Sequence, residues 1–206
     1  METMSYTNEE NQDFEKDWWG DCTNTFGEEA KQISYAHRMG LVVTPTYDGK
    51  WPVYNLEGKS VLDIGGGPVS MLLKTINGNT GGDLLVVDPC DYPEWVYDRY
   101  IEKEIYFKNI PAEDFTCDGF FEEVWIYNVL QHVIDPEKII EVAKKYGKTI
   151  RIFEWIDTPP TLGHPHTLTE EKLNEWLDGK GTVEEINENG AVGKCYYGVF
   201  ETNGEN

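Results

Sequence analysis

The sequence predicts an α/β fold: a mostly parallel sheet covered by helices on both faces, with an antiparallel hairpin at its C-terminal edge. Three observations lead there. From Lys59 onward short apolar runs alternate with helix-period stretches, and repeated strand–helix–strand order is the signature of a parallel sheet. The run Leu84-Leu85-Val86-Val87 has no polar alternation, as expected of a central strand buried on both faces. The last two strand candidates are joined by "NENGAVG", a turn with no room for a crossover helix.

In order along the chain, the first dozen residues and the closing "ETNGEN" read as mobile. "EEAKQISYAHRMG", Glu28 to Gly40, reads as a helix with acids at its start, basic residues near its end and a glycine stop. Asp48-Gly49 marks a turn in a small hairpin or extended arm. Strands are expected over Ser60–Ile64, Leu84–Asp88, Ile105–Phe107, Glu123–Asn128, Thr149–Trp155, Val183–Ile186 and Cys195–Phe200. Helices are expected over Pro68–Ile76, Pro93–Glu102, Pro136–Tyr146 and Thr169–Leu177, with starts at Asp135-Pro136 and at Thr167 or Thr169. Residues 1–58 then form a cap or lid region and 59–206 the core.

Bulk properties narrow the function classes. The 206 residues carry a net charge of −21, which repels a polyanion at long range, so nucleic acid is not an expected partner. No window approaches the roughly 18 apolar residues of a membrane span, and the acidic start is unlike a signal peptide. The four cysteines are widely spaced, with no CxxC pair, which reads as reduced thiols in a cytoplasmic protein.

The chemistry lies at the strand ends. The segment "VLDIGGGPVS" runs from a strand into Gly65-Gly66-Gly67 and then Pro68. Glycines admit positive φ and let a ligand approach backbone, and proline suits a first helical turn. A dinucleotide fingerprint needs a third glycine where Ser70 stands, and Asp63 would oppose a pyrophosphate. A cationic ligand reverses that argument, so Asp63 becomes an asset, directly or by holding the loop. S-adenosylmethionine, with an ammonium and a sulfonium, is such a ligand. Asp88, before Pro89, ends the next strand at a place suited to ribose hydroxyls. Glu113 or Asp114, in "NIPAEDF", follows the third strand and suits an adenine amino group.

In series, "VLDIGGGP", "LLVVDP", "AEDF" and "FEEVWIYNVLQHVIDPEKIIEVAKK" resemble the motifs of class I S-adenosylmethionine-dependent methyltransferases, especially the small-molecule enzymes. The resemblance covers about Lys59 to Phe200. It implies a Rossmann-like, seven-stranded sheet with a reversed last strand, S-adenosyl-L-methionine as cofactor, and a small-molecule acceptor. Val69 stands where many members have a further glycine, which bears on the path of the first helix turn.

Methyl transfer needs alignment and dryness more than a triad. Asn128, at the end of the fourth strand, and His132 beyond it are the candidates nearest the methyl, with His132 the leading base. Glu154 and Asp157 are expected near the fifth strand's carboxyl end, where both could bind the acceptor and both could equally cap loops; Glu154 is also a catalytic candidate. His164 and His166 flank a proline on extended chain. Helix-entry structure is the favoured reading of that stretch, with the pair as candidate acceptor contacts beside it; metal binding with Glu154 or Asp157 is the lesser reading, and no metal is expected. In a lid, Trp19, Tyr35 and His37 would be further acceptor contacts. The Asp/Asn-Pro-Pro-aromatic signature of amino-directed DNA methylation is missing at Asn128-Val129-Leu130-Gln131. The rival readings are a nicotinamide-dependent oxidoreductase and a non-catalytic binder of the same cofactor.

Overall fold

The computed structural model describes residues 7–23, 25–44, 52–76 and 82–202. Two amino-terminal helices, α1 (Asn8–Trp19) and α2 (Phe26–Arg38), precede two short strands, β1 (Tyr54–Asn55) and β3 (Thr75–Ile76), which pair with each other. The main sheet holds β2 (Val61–Ile64), β4 (Leu84–Val87), β5 (Tyr106–Lys108), β6 (Phe121–Tyr127), β7 (Gly147–Trp155), β8 (Thr182–Glu188) and β9 (Ala191–Glu201). Between them run α3 (Glu94–Glu102), α4 (Pro136–Tyr146) and α5 (Glu170–Trp176).

The strand order is β5-β4-β2-β6-β7-β9-β8. All pairs are parallel except β7–β9 and β8–β9. The chain steps outward from β2 to one side, then returns to β6 and steps to the other. That reversal opens a crevice beyond the carboxyl ends of β2 and β6, where open α/β sheets bind ligands.

The seven strands stand where the sequence places them: the central ones are dense apolar runs, while the edge strands β5 and β8 are short or largely polar. Their side chains sort by period two into cores on opposite faces. Leu62, Ile64, Val124 and Ile126 enter one; Val61, Val86, Trp125 and Phe153 enter the other. At roughly 1.5–3 kcal/mol for each large apolar side chain removed from water, these strands dominate the stability. The β8–β9 hairpin closes through Asn189 and Gly190, both at positive φ (50° and 79°), as a two-residue turn of this hand requires.

Three expectations are corrected. The predicted helix over Pro68–Ile76 is instead two 3₁₀ turns, Gly67–Val69 and Met71–Lys74, followed by β3. Ser70 interrupts it with extended backbone (φ −44°, ψ 142°). Its N–H is taken by the Tyr100 hydroxyl at 3.1 Å, and the Met71 N–H by the Tyr127 hydroxyl at 3.0 Å. The amino-terminal dozen is not uniformly loose: α1 starts at Asn8 behind a capping box in which Thr7 and Glu10 satisfy each other's backbone. At the other end, Glu201 belongs to β9 and the Thr202 N–H donates to the Lys148 carbonyl at 2.8 Å. The Asp48-Gly49 turn lies outside the described residues, as do 203–206.

Candidate functional site

A cavity of about 560 Å³ opens at the crevice between β2 and β6. Its floor is the turn after β2. Gly65 and Gly67 sit at φ +68° and +60°, where glycine carries no steric penalty. Space requires glycine as well. A Cβ on Gly65 would lie 2.6 Å from the Val129 side chain, and one on Gly66 would lie 2.7 Å from an Asp63 oxygen. Gly67 is open by comparison, its nearest neighbours being the Tyr92 hydroxyl at 3.7 Å and the Trp19 ring at 3.8 Å.

Two buried acids hold this floor differently. Asp88 lines the cavity and accepts hydrogen bonds from the Gly67 N–H (3.1 Å), the Cys90 N–H (2.9 Å) and the Tyr92 hydroxyl (2.9 Å). Burial raises its pKa, against those three donors. Asp63 does not line the cavity. It is wholly buried beneath the glycines, where one oxygen accepts from the Ser70 hydroxyl and from the Tyr127 hydroxyl (2.6 Å) and the other has no partner. Burial pushes its pKa up to about 7, with the two hydroxyls opposing and the Asp88 charge adding. Of the two roles the sequence left open for Asp63, the structure gives it the second, holding the loop.

At the third and fourth strand ends, Glu113 lines the cavity and accepts from the Ile134 and Asp135 N–H groups at 3.0 and 3.3 Å. Asp114 is exposed and lies away from it. Asn128 lines the cavity at φ +57°, a left-handed conformation that asparagine tolerates, and its side-chain oxygen accepts from Gln131 at 3.0 Å. Pro89 also lines it.

Glu154 is a correction. It is wholly buried and absent from the cavity wall, with its carboxylate turned to the Val129 and Leu130 N–H groups (2.9 and 3.1 Å). It fixes the turn after β6, the loop-capping alternative, and does not reach the cavity wall. Burial raises its pKa to about 7 against those donors.

The cavity's roof is α1 with α2. Phe14, Glu15, Trp18 and Trp19 present one face of α1 to the cavity, and Gln32 and Tyr35 present one face of α2. Asn11 pins α1 by accepting the Gly163 N–H at 2.9 Å, and Phe14 packs where a Gly163 Cβ would be, at 2.4 Å. Gln32 donates to the Val69 carbonyl at 2.9 Å, tying α2 to the glycine loop. Tyr35 is buried, stacked on Phe153 (centroids 4.2 Å apart) and edge-on to Trp155 (6.1 Å). Burial holds its hydroxyl neutral, well above the ordinary phenol range, and that hydroxyl has no partner in hydrogen-bond geometry.

The histidines part company. His132 and His164 line the cavity with their rings 4.3 Å apart. His132 Nδ1 lies 2.9 Å from Glu15 Oε1 and 2.8 Å from the Gly163 carbonyl oxygen. Burial alone would lower its pKa, but Glu15 with the Gly163 carbonyl outweighs that and raises it. The His164 pKa is lowered, by burial and then by His132. His166 is not at the cavity; its Nε2 meets the Val133 carbonyl at 2.8 Å. His37 is exposed on the far side of α2. Among the described residues no three His, Cys, Asp or Glu side chains converge as metal ligands.

Sequence reasoning missed the three tyrosines that lock the glycine loop. Tyr92 and Tyr127 grip its acids, and the Tyr100 hydroxyl donates to the Gly67 carbonyl at 2.6 Å. Nothing in a single sequence marks a tyrosine as a long-range donor. Glu15 was legible in part: it shares a helical face with Trp18 and Trp19, and the T-x-x-E capping box announces that helix.

The fold has many solved counterparts. It is similar to the Burkholderia thailandensis 1,6-didemethyltoxoflavin-N1-methyltransferase bound to 1,6-didemethyltoxoflavin and S-adenosylhomocysteine, at TM-score 0.62 and 14% identity, covering 98% of this chain and 94% of that one. It is also similar to the N-methyltransferase NodS from Bradyrhizobium japonicum WM9 with S-adenosylhomocysteine, at TM-score 0.55, 14% identity and coverages of 88% and 89%. The mitomycin 7-O-methyltransferase MmcR aligns at TM-score 0.57 and 15% identity, over 95% of this chain and 59% of that one. No protein-family model matches the sequence, and no curated protein does. The likeness establishes the class I methyltransferase fold.

Proposed function

We propose that this chain is an S-adenosyl-L-methionine-dependent methyltransferase acting on a small-molecule acceptor. One observation carries the reading: the cavity pairs a glycine floor with acids and leaves its cations neutralised. Asp88 and Glu113 line it beside Gly65 and Gly67, whereas the lining lysines, Lys31 and Lys194, are ion-paired with Glu28 and Asp157. An acid at the Asp88 position is shared with dinucleotide sites. Glu113 adds a second carboxylate and neither lining lysine is unpaired, which disfavours a pyrophosphate, whereas a nucleoside carrying a sulfonium and an ammonium meets complementary charge.

The residues fit that cofactor. Asp88 would accept from the ribose hydroxyls, Pro89, Ala112 and Glu113 would border the adenine, and the open face of Gly67 would admit close approach. When bound, the cofactor supplies a methyl on a good leaving group. The chain's own part is to position, enclose and dry the reactants. Residues 1–58 act in this reading as the lid, through α1 and α2.

The acceptor class follows from size and charge. A cavity of about 560 Å³ suits small ligands, the net charge of −21 disfavours nucleic acid, and the similar Burkholderia enzyme is bound to 1,6-didemethyltoxoflavin. The cysteines are unpaired, consistent with a reducing, cytoplasmic setting; among the described residues no helix is long and apolar enough to cross a membrane. The test is transfer of a labelled methyl from S-adenosylmethionine to a metabolite extract. Labelled product in the small-molecule fraction supports the reading; label in nucleic acid alone, or none, contradicts it.

A further inference from the structure

We infer that Glu15, carried on the lid helix α1, makes His132 a proton acceptor, and that the methyl acceptor is an aromatic molecule whose nucleophilic oxygen carries a proton. This rests on the methyltransferase reading above. The tautomer of His132 is fixed by its neighbours. Nδ1 faces two oxygens that can only accept, Glu15 Oε1 at 2.9 Å and the Gly163 carbonyl at 2.8 Å. Nδ1 therefore carries the proton, and the lone pair of the neutral ring resides on Nε2. The nearest partner of Nε2 is the Gln131 amide at 3.5 Å, too long for a good hydrogen bond. A carboxylate–histidine pair with its free nitrogen at a cavity is the arrangement of a general base held by an orienting acid.

The surroundings favour one proton at this place. Three titratable groups act on His132: Glu15 from α1, His164 from the 158–164 loop and Glu154 from β7. His164 packs on the His132 ring at 4.3 Å, and two imidazolium rings at that distance repel. The imidazolium formed at His132 is balanced by Glu15.

The other walls point to the acceptor's shape. Tyr35, Trp19 and Trp155 line the same cavity, and flat aromatic faces suit a planar ring. The Tyr35 hydroxyl, on a residue 2% exposed, is buried beside the Trp155 indole, which can only donate, and no acceptor in hydrogen-bond geometry takes its proton. Such a group calls for a ligand atom that accepts a hydrogen bond, as a phenolic oxygen or ring carbonyl does. In the step so defined, His132 Nε2 takes the proton of the aromatic hydroxyl. The oxygen's electron pair forms the new bond to the methyl carbon, and the pair of the old carbon–sulfur bond returns to sulfur, leaving a neutral thioether. Glu15 is a positioning residue: through its contact at Nδ1 it sets the tautomer and basicity of His132, and only while α1 is docked.

Three measurements on the full chain test this. The first is S-adenosylhomocysteine binding by calorimetry, to the wild type and to Glu15→Gln and His132→Gln. The second is a ring-proton NMR titration of the histidines, only four in number, with His132 assigned by its loss in His132→Gln. The third is methyl transfer to phenols of graded acidity, from 4-methylphenol to 4-nitrophenol, at pH 8. Both variants keep S-adenosylhomocysteine affinity within about threefold. Glu15→Gln lowers the His132 pKa and cuts kcat for 4-methylphenol about 100-fold, within the range of a general base. It costs 4-nitrophenol, already ionised, less than about threefold, and Glu15→Asp restores part of the loss. An unmoved His132 pKa, an equal loss with both phenols, or no turnover of any phenol by wild type that binds S-adenosylhomocysteine overturns the inference. Wild type that fails to bind S-adenosylhomocysteine brings down the underlying methyltransferase reading instead, and this inference with it.

Discussion

The floor and the roof of the cavity are built on opposite plans. The floor, at the ends of β2 and β4, is a closed set of hydrogen bonds among buried groups: Asp63, Asp88, Ser70 and the hydroxyls of Tyr92, Tyr100 and Tyr127. The outer edge of the roof, where α1 meets the 158–164 loop, is joined by Asn11 to Gly163, Phe14 against Gly163 and Glu15 to His132, while Trp19 at the helix end packs on the core. A network with several members per group is rigid and costly to break, whereas an edge held by single side-chain contacts opens at lower free energy. On that contrast the floor is expected to be the preformed surface and the outer edge of α1 the part that opens first. In the methyltransferase reading, these are the cofactor side and the acceptor side.

The largest expected difference is between two glycines. Gly65→Ala puts a Cβ at positive φ, 2.6 Å from buried Val129. It is expected to cost about 2–4 kcal/mol of stability and to abolish measurable S-adenosylhomocysteine binding. Gly163→Ala meets the Phe14 ring at 2.4 Å, also at positive φ. There α1 is expected to lift away, leaving the core's urea midpoint nearly unchanged and S-adenosylhomocysteine binding within about tenfold, because the floor remains. Equal losses from both substitutions would erase the distinction.

The floor's acids give the next effect. Asp63 and Glu154 have pKa values raised by burial to about 7. Between the ordinary carboxylate range and about pH 7 the folded chain keeps protons that the unfolded chain has released. Their contribution to stability is therefore complete below the unfolded pKa and is lost as pH rises toward 7. The slope is at most about 1.4 kcal/mol per pH unit for each group. Urea melts from pH 5 to 7.5 should show stability falling with pH, and Asp63→Asn with Glu154→Gln should flatten the curve. A slope untouched by both substitutions would contradict the account. Glu123, held down to about 2 chiefly by Arg151 against its own burial, stays ionised across that window and does not mask the effect.

Smaller effects belong to the roof and the rim. Asn11→Ala removes the acceptor for the Gly163 N–H and is expected to cost about 1 kcal/mol locally, read as faster hydrogen exchange in α1 with none in β6. Glu113→Ala should weaken S-adenosylhomocysteine binding several-fold, while exposed Asp114→Ala leaves it unchanged. A reversal of that order would move the adenine subsite.

The same contrast governs what could be read from the chain. The strands, the crevice and the floor positions Gly65, Gly67, Asp88 and Asn128 follow from local signals: apolar runs, glycines and acids at strand ends. The helix after Gly67 does not, because tyrosines 30 and 56 residues away take the N–H groups of Ser70 and Met71. Glu154 was placed at the right strand end but on the wrong side of it. Its carboxylate serves the backbone of the next loop, a partnership set by the packing of β6 against β7. His37 and His166 carry the right chemistry on faces that tertiary packing turns away. His132 was read as a base candidate by position, beside the reading of a packed histidine. Glu15, which meets its Nδ1, lies 117 residues distant in a stretch whose adjacent tryptophans marked a docking helix or lid without marking this contact.

The central claim is that the floor is built for S-adenosylmethionine and its thioether product and against a phosphate-bearing dinucleotide. Calorimetry of the wild-type chain with S-adenosylhomocysteine and with NADH, side by side in one buffer, tests it most directly. The account predicts saturable binding of the thioether nucleoside, lost in Gly65→Ala, and no measurable heat with the dinucleotide. Tight NADH binding with none of S-adenosylhomocysteine would contradict it.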